Sequence, residues 1–210
     1  MIRVLLADDH AVVRTGFRLL LETAQDVRVI AEADSGEACL ARFDESAPDV
    51  VVLDLSMPGI GGLEALKRLR ARSRTVRVLA LSAHDDPMHA RRALRQGALG
   101  FLSKRTAPET LLEGVRAVAA GSRYIDPRLA QDVAFAEIDG GMSPVDQLSE
   151  REFDVFIRLA KGAAVQRIAS ELNLSASTVG THLYNIKLKL GATNQAELTL
   201  IALRAGLIEA

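Results

Sequence analysis

The chain changes its pattern of apolar and polar residues about halfway along its length. From residue 1 to about residue 121, short unbroken apolar runs alternate with segments in which apolar residues recur every three or four positions. Short apolar runs are typical of strands buried on both faces, and the longer period is typical of amphipathic helices. The alternation of the two predicts an α/β fold with a parallel sheet.

Five strands and five helices are predicted in this half. The run at residues 50–53 lies between Asp49 and Asp54 and is too short for a free-standing helix, so it is predicted to be a buried strand. The other strands are predicted at residues 2–7, 27–33, 76–81 and 99–103. The helices are predicted around residues 13–20, after Ser35, after Gly62, at residues 86–96 and at residues 108–120.

The rest of the chain is predicted to be helical after a loosely patterned segment. Glycine, serine and proline interrupt the pattern between residues 122 and 147, where one short helix at residues 127–135 is compatible with the sequence. From Leu148 the helical period returns, and Ser149 with Glu152 forms a capping-box motif at the start of a helix. We therefore expect one domain at residues 1–121, a linker at residues 122–147 and a small all-α domain at residues 148–210.

Composition limits the classes of function. A hydrophobic content of 49% in 210 residues is enough for two small cores. The single cysteine, Cys39, excludes an internal disulfide, and no apolar run is long enough to span a bilayer or to lead the chain as a signal segment. We expect a cytoplasmic protein that does not enter a membrane. A net charge of −1 argues against binding nucleic acid through bulk charge, so any such binding must be local.

Side chains able to do chemistry follow four of the predicted strands. Asp8 and Asp9 follow the first strand, Asp54 the third, Ser82 the fourth and Lys104 the fifth. Because the carboxyl ends of parallel strands share one edge of a sheet, we expect these side chains to lie close together. Clustered carboxylates raise one another's pKa unless a cation lies among them, and carboxylate oxygens suit Mg²⁺. The sequence therefore predicts a magnesium site at this edge.

The same edge is predicted to hold a phosphoryl group. The hydroxyl of Ser82 and the ammonium of Lys104 can contact phosphoryl oxygens beside the metal. Asp54 is then the carboxylate nucleophile that forms an aspartyl phosphate. Considered alone, Asp54 is more simply a residue that caps a turn, and the residues at the other strand ends favour the chemical role.

These strand ends resemble those of the receiver domain of bacterial two-component response regulators, over roughly the first half of the chain. The resemblance rests on the acidic doublet Asp8-Asp9, on Asp54 followed by Met57-Pro58-Gly59, on Ser82 and on Lys104. It implies a flavodoxin-like (βα)5 fold with a parallel sheet of five strands. It further implies that a partner histidine kinase supplies the phosphoryl group.

The resemblance also implies a role for each residue of the site. It implies Mg²⁺ ligation by Asp9, Asp54 and the backbone carbonyl of Ser56, assistance by Asp8 through water, and contacts to the phosphoryl oxygens from Ser82 and Lys104. Phe101 falls where such domains carry an aromatic residue that takes part in switching. Phe101 is equally compatible with a strand residue that simply packs in the core.

In the C-terminal half, two short helices joined by a tight turn fit a helix-turn-helix. From residue 175 to residue 190 the chain carries Lys187 and Lys189 and no acid, so this element is positive although the protein is not. Hydroxyls at the helix N-terminus can hold a phosphate together with the free amides, and they belong to Ser175, Ser177 and Thr178. Taken alone, the segment is more typical of a helical domain that never touches DNA.

The segment does not stand alone, because its motifs resemble the LuxR-type output domain. The resemblance rests on residues 148–152, 168–172, 178–182 and 189–191, and with the receiver motifs it indicates the NarL/FixJ class of response regulators. That class commonly has Lys where this chain has Gly180, at a position that reaches the major groove. Base readout is therefore expected to shift to Thr181 and Tyr184, and the resemblance implies that Lys187 contacts phosphate.

The function expected from the sequence is that of a DNA-binding transcription regulator and not of an enzyme. A sensor histidine kinase is expected to phosphorylate Asp54 with Mg²⁺, after which the protein dimerises and binds double-stranded promoter DNA. One alternative is a Mg²⁺-dependent phosphohydrolase with an aspartyl-phosphate intermediate. A second alternative is a regulator that binds DNA constitutively and keeps its acidic residues as structural remnants.

Overall fold

A computed structural model describes residues 1–83, 87–105, 108–126, 128–130, 144–205 and 207–208. The chain divides into two compact units, Met1–Gly140 and Gly141–Ala210. Among the described helices, none combines the length and the apolar character needed to cross a lipid bilayer.

The N-terminal unit is a parallel sheet covered by helices on both faces. Its strands are β1 (Ile2–Ala7), β2 (Val27–Ala33), β3 (Val50–Asp54), β4 (Val78–Ser82), β5 (Gly100–Ser103) and β6 (Tyr124–Ile125). Its helices are α1 (Ala11–Leu21), α2 (Gly36–Ser46), α3 (Gly62–Arg72), α4 (Pro87–Arg95) and α5 (Pro108–Ala119). The strand order is β2-β1-β3-β4-β5-β6, and all paired strands are parallel. The predicted α/β fold class is confirmed.

The central strand β3 explains why its sequence is an unbroken apolar run. Val51 and Leu53 contribute to one hydrophobic core, while Val50 and Val52 contribute to the core on the opposite face of the sheet. Both faces need apolar side chains because helices cover both. The first core includes residues of α2, α3 and α4, and the second includes residues of α1 and α5.

The sixth strand is the one element of the sheet that the sequence did not predict. Tyr124 and Ile125 pair with Gly100 and Phe101 of β5, and the amide of Asp126 donates to the Phe101 carbonyl at 2.9 Å. Two residues are too few for periodicity to indicate a strand. This strand lies within the predicted linker. Of the short helix predicted at residues 127–135, residues 128–130 are helical and the others lie outside the described residues.

The C-terminal unit is entirely helical in its described part, which agrees with the predicted all-α domain. A 3-10 turn (Pro144–Gln147) precedes α6 (Glu150–Ala160), α7 (Val165–Glu171), α8 (Ala176–Leu190) and α9 (Gln195–Arg204). One apolar side of each helix is buried in a shared core, which contains Phe153, Phe156, Ile168, Val179, Ile186 and Leu198. The tight connection between α7 and α8 gives the helix-turn-helix that the sequence predicts.

The predicted capping box is confirmed at the start of α6. The Ser149 hydroxyl accepts from the Glu152 amide at 3.3 Å, and the Ser149 amide donates to Glu152 Oε2 at 2.7 Å. Lys189 Nζ, from the end of α8, lies 2.5 Å from the same Glu152 oxygen. Burial acts to raise the pKa of Glu152, but the Lys189 ammonium and the Ser149 amide outweigh it, so the pKa is lowered. The carboxylate therefore joins α6 to α8 as a charged group.

We expect Glu152→Gln to destabilise the C-terminal unit by about 1.5 to 3 kcal/mol at pH 7, because a buried hydrogen bond to a charged group is lost. A lowered pKa stabilises the fold above the ordinary glutamate pKa of about 4.3, and this contribution disappears as the pH falls through the folded-state value. Urea denaturation at pH 7 and pH 4, with hydrogen exchange resolved by peptide, measures both effects.

Glu171→Gln in the same unit is the matched control. Glu171 pairs with Arg158 and Arg167, and its side chain is 39% exposed, so solvent screens these pairs. Its replacement is expected to cost clearly less stability than that of Glu152. An equal loss of stability in the two variants would show that the buried Glu152 carboxylate contributes no more to the fold than the Glu171 carboxylate does.

Candidate functional site

The predicted acidic residues meet at the carboxyl edge of the sheet. Asp8 follows β1 and Asp54 ends β3, and the register that pairs Ala7 with Leu53 sets the two carboxylates side by side. Both Asp8 and Asp54 are fully buried. Carboxylate oxygens of Asp8, Asp9 and Asp54, with a ring nitrogen of His10, all lie within 4.8 Å of one another. The structure thus brings these carboxylates into one cluster.

Lys104 joins the cluster from the end of β5. Its ammonium nitrogen lies 2.7 Å from Asp54 Oδ2 and 2.7 Å from Asp8 Oδ2. Its backbone amide donates to the Ser82 carbonyl at 2.7 Å, so the ends of β4 and β5 are held together beside the carboxylates. Ser82 ends β4 and is fully buried. The five residues predicted at the strand ends therefore share one edge.

The charges in the cluster influence one another strongly. Burial raises the pKa of Asp54, while the Lys104 ammonium and the Ser56 amide oppose that rise in part. Burial acts to lower the pKa of Lys104, but the carboxylates of Asp54 and Asp8 outweigh it and raise the pKa. The ammonium is therefore held in its charged form. One ammonium cannot balance three neighbouring carboxylates, so the cluster keeps an excess of negative charge.

This excess of negative charge fits a hard divalent cation. The oxygens of Asp8, Asp9 and Asp54 are the ligand type that Mg²⁺ prefers. His10 Nδ1 lies 2.9 Å from Asp9 Oδ1, and nitrogen is a poorer ligand for this ion, so we assign His10 to positioning Asp9. The residues present are therefore compatible with Mg²⁺.

Two neighbours of the cluster were not identified from the sequence. The His10 amide donates to Asp8 Oδ1 at 2.8 Å, and Arg14 Nη1 donates to the Asp8 carbonyl at 2.6 Å. Arg14 Nε also lies 3.1 Å from Glu32 on β2. These contacts hold the turn after β1. Their only sequence signal is the proximity of His10 and Arg14 to the acidic doublet.

The turn after β3 orients Asp54. The Ser56 amide donates to Asp54 Oδ1 at 3.0 Å, which leaves Oδ2 facing Lys104. Leu55 and Met57 are buried, so the turn packs against the sheet and does not extend into solvent. The predicted ligation of a metal by the Ser56 carbonyl stays a prediction.

Gly62, the first residue of α3, packs against this turn in a way that the sequence did not reveal. A Cβ added to Gly62 would lie 1.9 Å from the Asp54 carbonyl oxygen and 2.6 Å from Leu55 Cα. The Gly62 amide donates to the Leu55 carbonyl at 3.1 Å. The first residue of α3 therefore packs directly against the backbone of the predicted phosphoryl acceptor, at a distance that only glycine permits.

Phe101 is fully buried in the core, in register between Ala80 of β4 and Ile125 of β6. Burial is common to both of its predicted roles, the packed core residue and the switch residue. Its predicted part in a switch stays a prediction.

The predicted DNA-contacting residues lie together at the start and on one side of α8. Ser175 Oγ accepts from the Thr178 amide at 3.0 Å and lies 2.8 Å from the Thr178 hydroxyl, so the helix begins with a regular side-chain cap. The Thr181 hydroxyl donates to the Ser177 carbonyl at 3.2 Å. Six of the predicted DNA-contacting residues are exposed to solvent: Ser175, Ser177, Thr178, Gly180, Thr181 and Tyr184.

Lys187 and Gly180 limit the groups that this surface offers to DNA. Lys187 is half-buried, and its ammonium donates to the Thr193 carbonyl at 2.9 Å, so a phosphate contact would require it to exchange that partner. Apart from the chain neighbours of Gly180 and the backbone of its own helix, no described atom lies within 4 Å of the position that a Cβ would occupy. The surface therefore has a gap where a long side chain would fit without a clash.

The chain matches two family models. Residues 4–116 match the response regulator receiver domain, and residues 146–202 match the bacterial regulatory proteins of the luxR family. Response regulator GacA of Pseudomonas aeruginosa is 39% identical to the chain, and the alignment covers 100% of this chain and 99% of GacA.

Solved structures of response regulators are also similar to this chain. The response regulator ChrA of a heme-sensing two-component system has a TM-score of 0.53 at 34% identity and covers 99% of this chain and 98% of its own. RcsB from Salmonella enterica serovar Typhimurium, bound to promoter rprA in the presence of the phosphomimetic BeF3-, has a TM-score of 0.59 at 26% identity. That match covers 95% of this chain and 97% of the RcsB chain.

We expect Gly62→Ala to destabilise the N-terminal unit by about 3 kcal/mol, the upper end of the usual cost of overpacking, because backbone atoms have to move to admit the methyl group. The displaced backbone includes the Asp54 carbonyl, so the carboxylate is expected to lose its alignment with Lys104. Urea denaturation of the full chain measures the stability.

Gly16→Ala on α1 is the matched control. Apart from its chain neighbours and the backbone of its own helix, no described atom lies within 4 Å of a Cβ at Gly16. The residue lies inside a helix, so alanine is expected to stabilise by about 0.5 to 1 kcal/mol. Equal stability of the Gly62→Ala protein and the wild type would show that Gly62 does not pack closely against the backbone of Asp54 and Leu55.

Proposed function

The chain belongs to the response regulators that join a receiver domain to a LuxR-type DNA-binding domain, and from this membership we propose that Asp54 is its phosphoryl acceptor. The observation that carries the proposal is the position of the Lys104 ammonium, 2.7 Å from both Asp54 and Asp8. A cation held there faces the oxygen that would carry the new phosphate.

Asp54 acts as the nucleophile of the proposed transfer. The Ser56 amide holds Oδ1 towards the backbone, and Oδ2, the oxygen on the Lys104 side, attacks phosphorus. An O–P bond forms while the bond from phosphorus to the donor breaks, and its electron pair leaves with the donor. Lys104 then contacts an oxygen of the phosphoryl group, and the Ser82 hydroxyl contacts another. Asp8, Asp9, Asp54 and the Ser56 carbonyl would hold Mg²⁺. When bound, the ion neutralises charge on the phosphoryl oxygens.

The donor in this proposal is a sensor histidine kinase, and the output is binding of promoter DNA by a homodimer. Two half-sites would supply the affinity that one weakly basic helix lacks. The promoter complex of RcsB in the presence of a phosphomimetic supports the pairing of input and output. Phosphorylation has to favour the DNA-binding state differentially, and we propose that Ser82 and Phe101 couple the acceptor to that change.

We propose a receiver domain at residues 1–121, a linker at residues 122–147 and a DNA-binding domain at residues 148–210. The start of this linker adds strand β6 to the receiver sheet. Bacterial promoter DNA lies in the cytoplasm, so we propose that a regulator that binds it is cytoplasmic.

Asp54→Asn is expected to abolish phosphorylation, because an amide replaces the attacking carboxylate. Intact mass after incubation with acetyl phosphate and Mg²⁺ measures the transfer. The wild-type chain is expected to gain one phosphoryl group, to dimerise in size-exclusion chromatography and to bind promoter DNA more tightly. The variant is expected to remain unmodified and to bind as the untreated wild type does.

Asp49→Asn, at the opposite end of β3, is the matched control. Asp49 is exposed and accepts from the Arg3 amide at 2.8 Å, so this variant is expected to be phosphorylated like the wild type. If Asp54→Asn bound DNA as tightly as the phosphorylated wild type, the switch would be refuted and constitutive binding supported. Steady release of phosphate from simple esters would instead support a phosphohydrolase.

Gly180→Lys is expected to tighten DNA binding, because the open space at Gly180 admits a long side chain whose cation can reach a phosphate at the edge of the major groove. One added phosphate contact should make the slope of log affinity against log salt steeper by about 1. Binding titrations of the phosphorylated protein over a range of salt concentrations measure the slope.

Gly180→Ala is the control for helix propensity. It is expected to stabilise α8 by about 0.5 to 1 kcal/mol and to leave the salt slope unchanged. An unchanged slope in the Gly180→Lys protein would show that residue 180 does not approach phosphate.

A further inference from the structure

Two large apolar side chains are exposed on α8. Tyr184 is 68% exposed and Leu188 is 72% exposed, although the same helix buries Val179 and Ile186 completely. Large apolar groups exposed side by side in a folded domain indicate a surface that another molecule covers. Tyr184 and Leu188 are four residues apart, so they are neighbours on the helix surface.

Leu188 lies on the side of α8 that the proposed DNA contacts share. With about 100° of rotation for each residue, Ser177, Gly180, Thr181, Tyr184 and Leu188 fall within an arc of about 100°. Leu188 lies inside the arc bounded by Gly180 and Thr181. It is also about 6 Å further along the helix axis than Tyr184, which is close to two base-pair steps of 3.4 Å.

The chemistry of this side favours DNA over a protein as the covering molecule. The chain has no acid between Ser175 and Leu190, so no carboxylate of this element would face the phosphates. The capped N-terminus of α8 adds amides and hydroxyls at one end, and Lys187 adds positive charge near the other. A positive, hydroxyl-rich helix side with an apolar centre suits a DNA groove.

The same side has few groups that recognise bases by hydrogen bonds. Gly180 has no side chain, and the Lys187 ammonium is engaged by the Thr193 carbonyl. The Thr181 hydroxyl already donates to the Ser177 carbonyl. Apolar side chains in the major groove discriminate bases differently, through contact with the C5-methyl group of thymine.

We infer that α8 recognises A·T pairs through thymine methyl groups, which the Tyr184 ring and the Leu188 side chain contact. The inference rests on the proposed function, because it requires α8 to enter the major groove. Leu188 contributes a second apolar contact about two base pairs from that of Tyr184. Specificity then comes from shape and apolar contact, while phosphate contacts supply most of the affinity.

Uracil substitution tests the inference without altering the hydrogen bonds of the DNA. Sites preferred by the phosphorylated full-length protein are selected from random DNA, and each thymine is then replaced in turn by uracil, which lacks the C5-methyl group. For the wild type, the dissociation constant is expected to rise about fourfold for each contacted methyl group that is removed. The sensitive positions should lie about two base pairs apart.

Variants assign the methyl contacts to individual side chains. In the Leu188→Ala protein the uracil penalty is expected to vanish at one position, and in the Tyr184→Ala protein at the other. Both side chains are exposed, so circular dichroism should show unchanged folding. Leu200→Ala is the matched control, because Leu200 is 50% exposed but lies on α9, and this variant should keep the full penalty.

The possible outcomes distinguish failure of this inference from failure of the proposed function on which it rests. If the phosphorylated wild type bound DNA but tolerated uracil at every position, the inference would be overturned and the proposed function would stand. An equal penalty in the wild type and the Leu188→Ala protein would remove Leu188 from the contact. If the phosphorylated wild type bound no DNA, the proposed function would fail, and the inference would fail with it.

Discussion

The contact of one ammonium with two buried carboxylates is the interaction around which the edge of the sheet is organised. Lys104 Nζ lies 2.7 Å from oxygens of Asp8 and Asp54, and both acids are fully buried. Buried charges are costly unless they are paired, so the ends of β1, β3 and β5 cannot separate without exposing an uncompensated charge. The same arrangement makes the edge sensitive to added charge, which is the property that a phosphoryl switch requires.

The surrounding backbone restricts how far the acceptor can move. Ser56 donates to one oxygen of Asp54, and α3 begins at Gly62, in direct contact with the Asp54 carbonyl. Arg14 holds the backbone of Asp8 from α1. A rigid support of this kind keeps one carboxylate oxygen directed at the lysine.

The C-terminal unit separates stability from recognition within a single helix. One side of α8 buries Val179 and Ile186, and its last turn reaches the α6 capping box through Lys189. The opposite side carries hydroxyls and exposed apolar groups that do nothing for the core. Leu188 is exposed there, and the proposed contact with DNA gives this side chain a role outside the domain. The missing side chain at Gly180 makes that contact less dependent on charge.

The sequence alone determined the features that neighbouring residues encode. Buried strands show as apolar runs, their final residues identify the edge where Asp54 and Lys104 meet, and Ser149 with Glu152 identifies a capped helix. Only the tertiary structure decided contacts between distant segments: the pairing of β6 with β5, the approach of Gly62 to Asp54, and the shared contact of Lys104 with two acids. Periodicity and capping act over a few residues, whereas these contacts depend on strand register and packing.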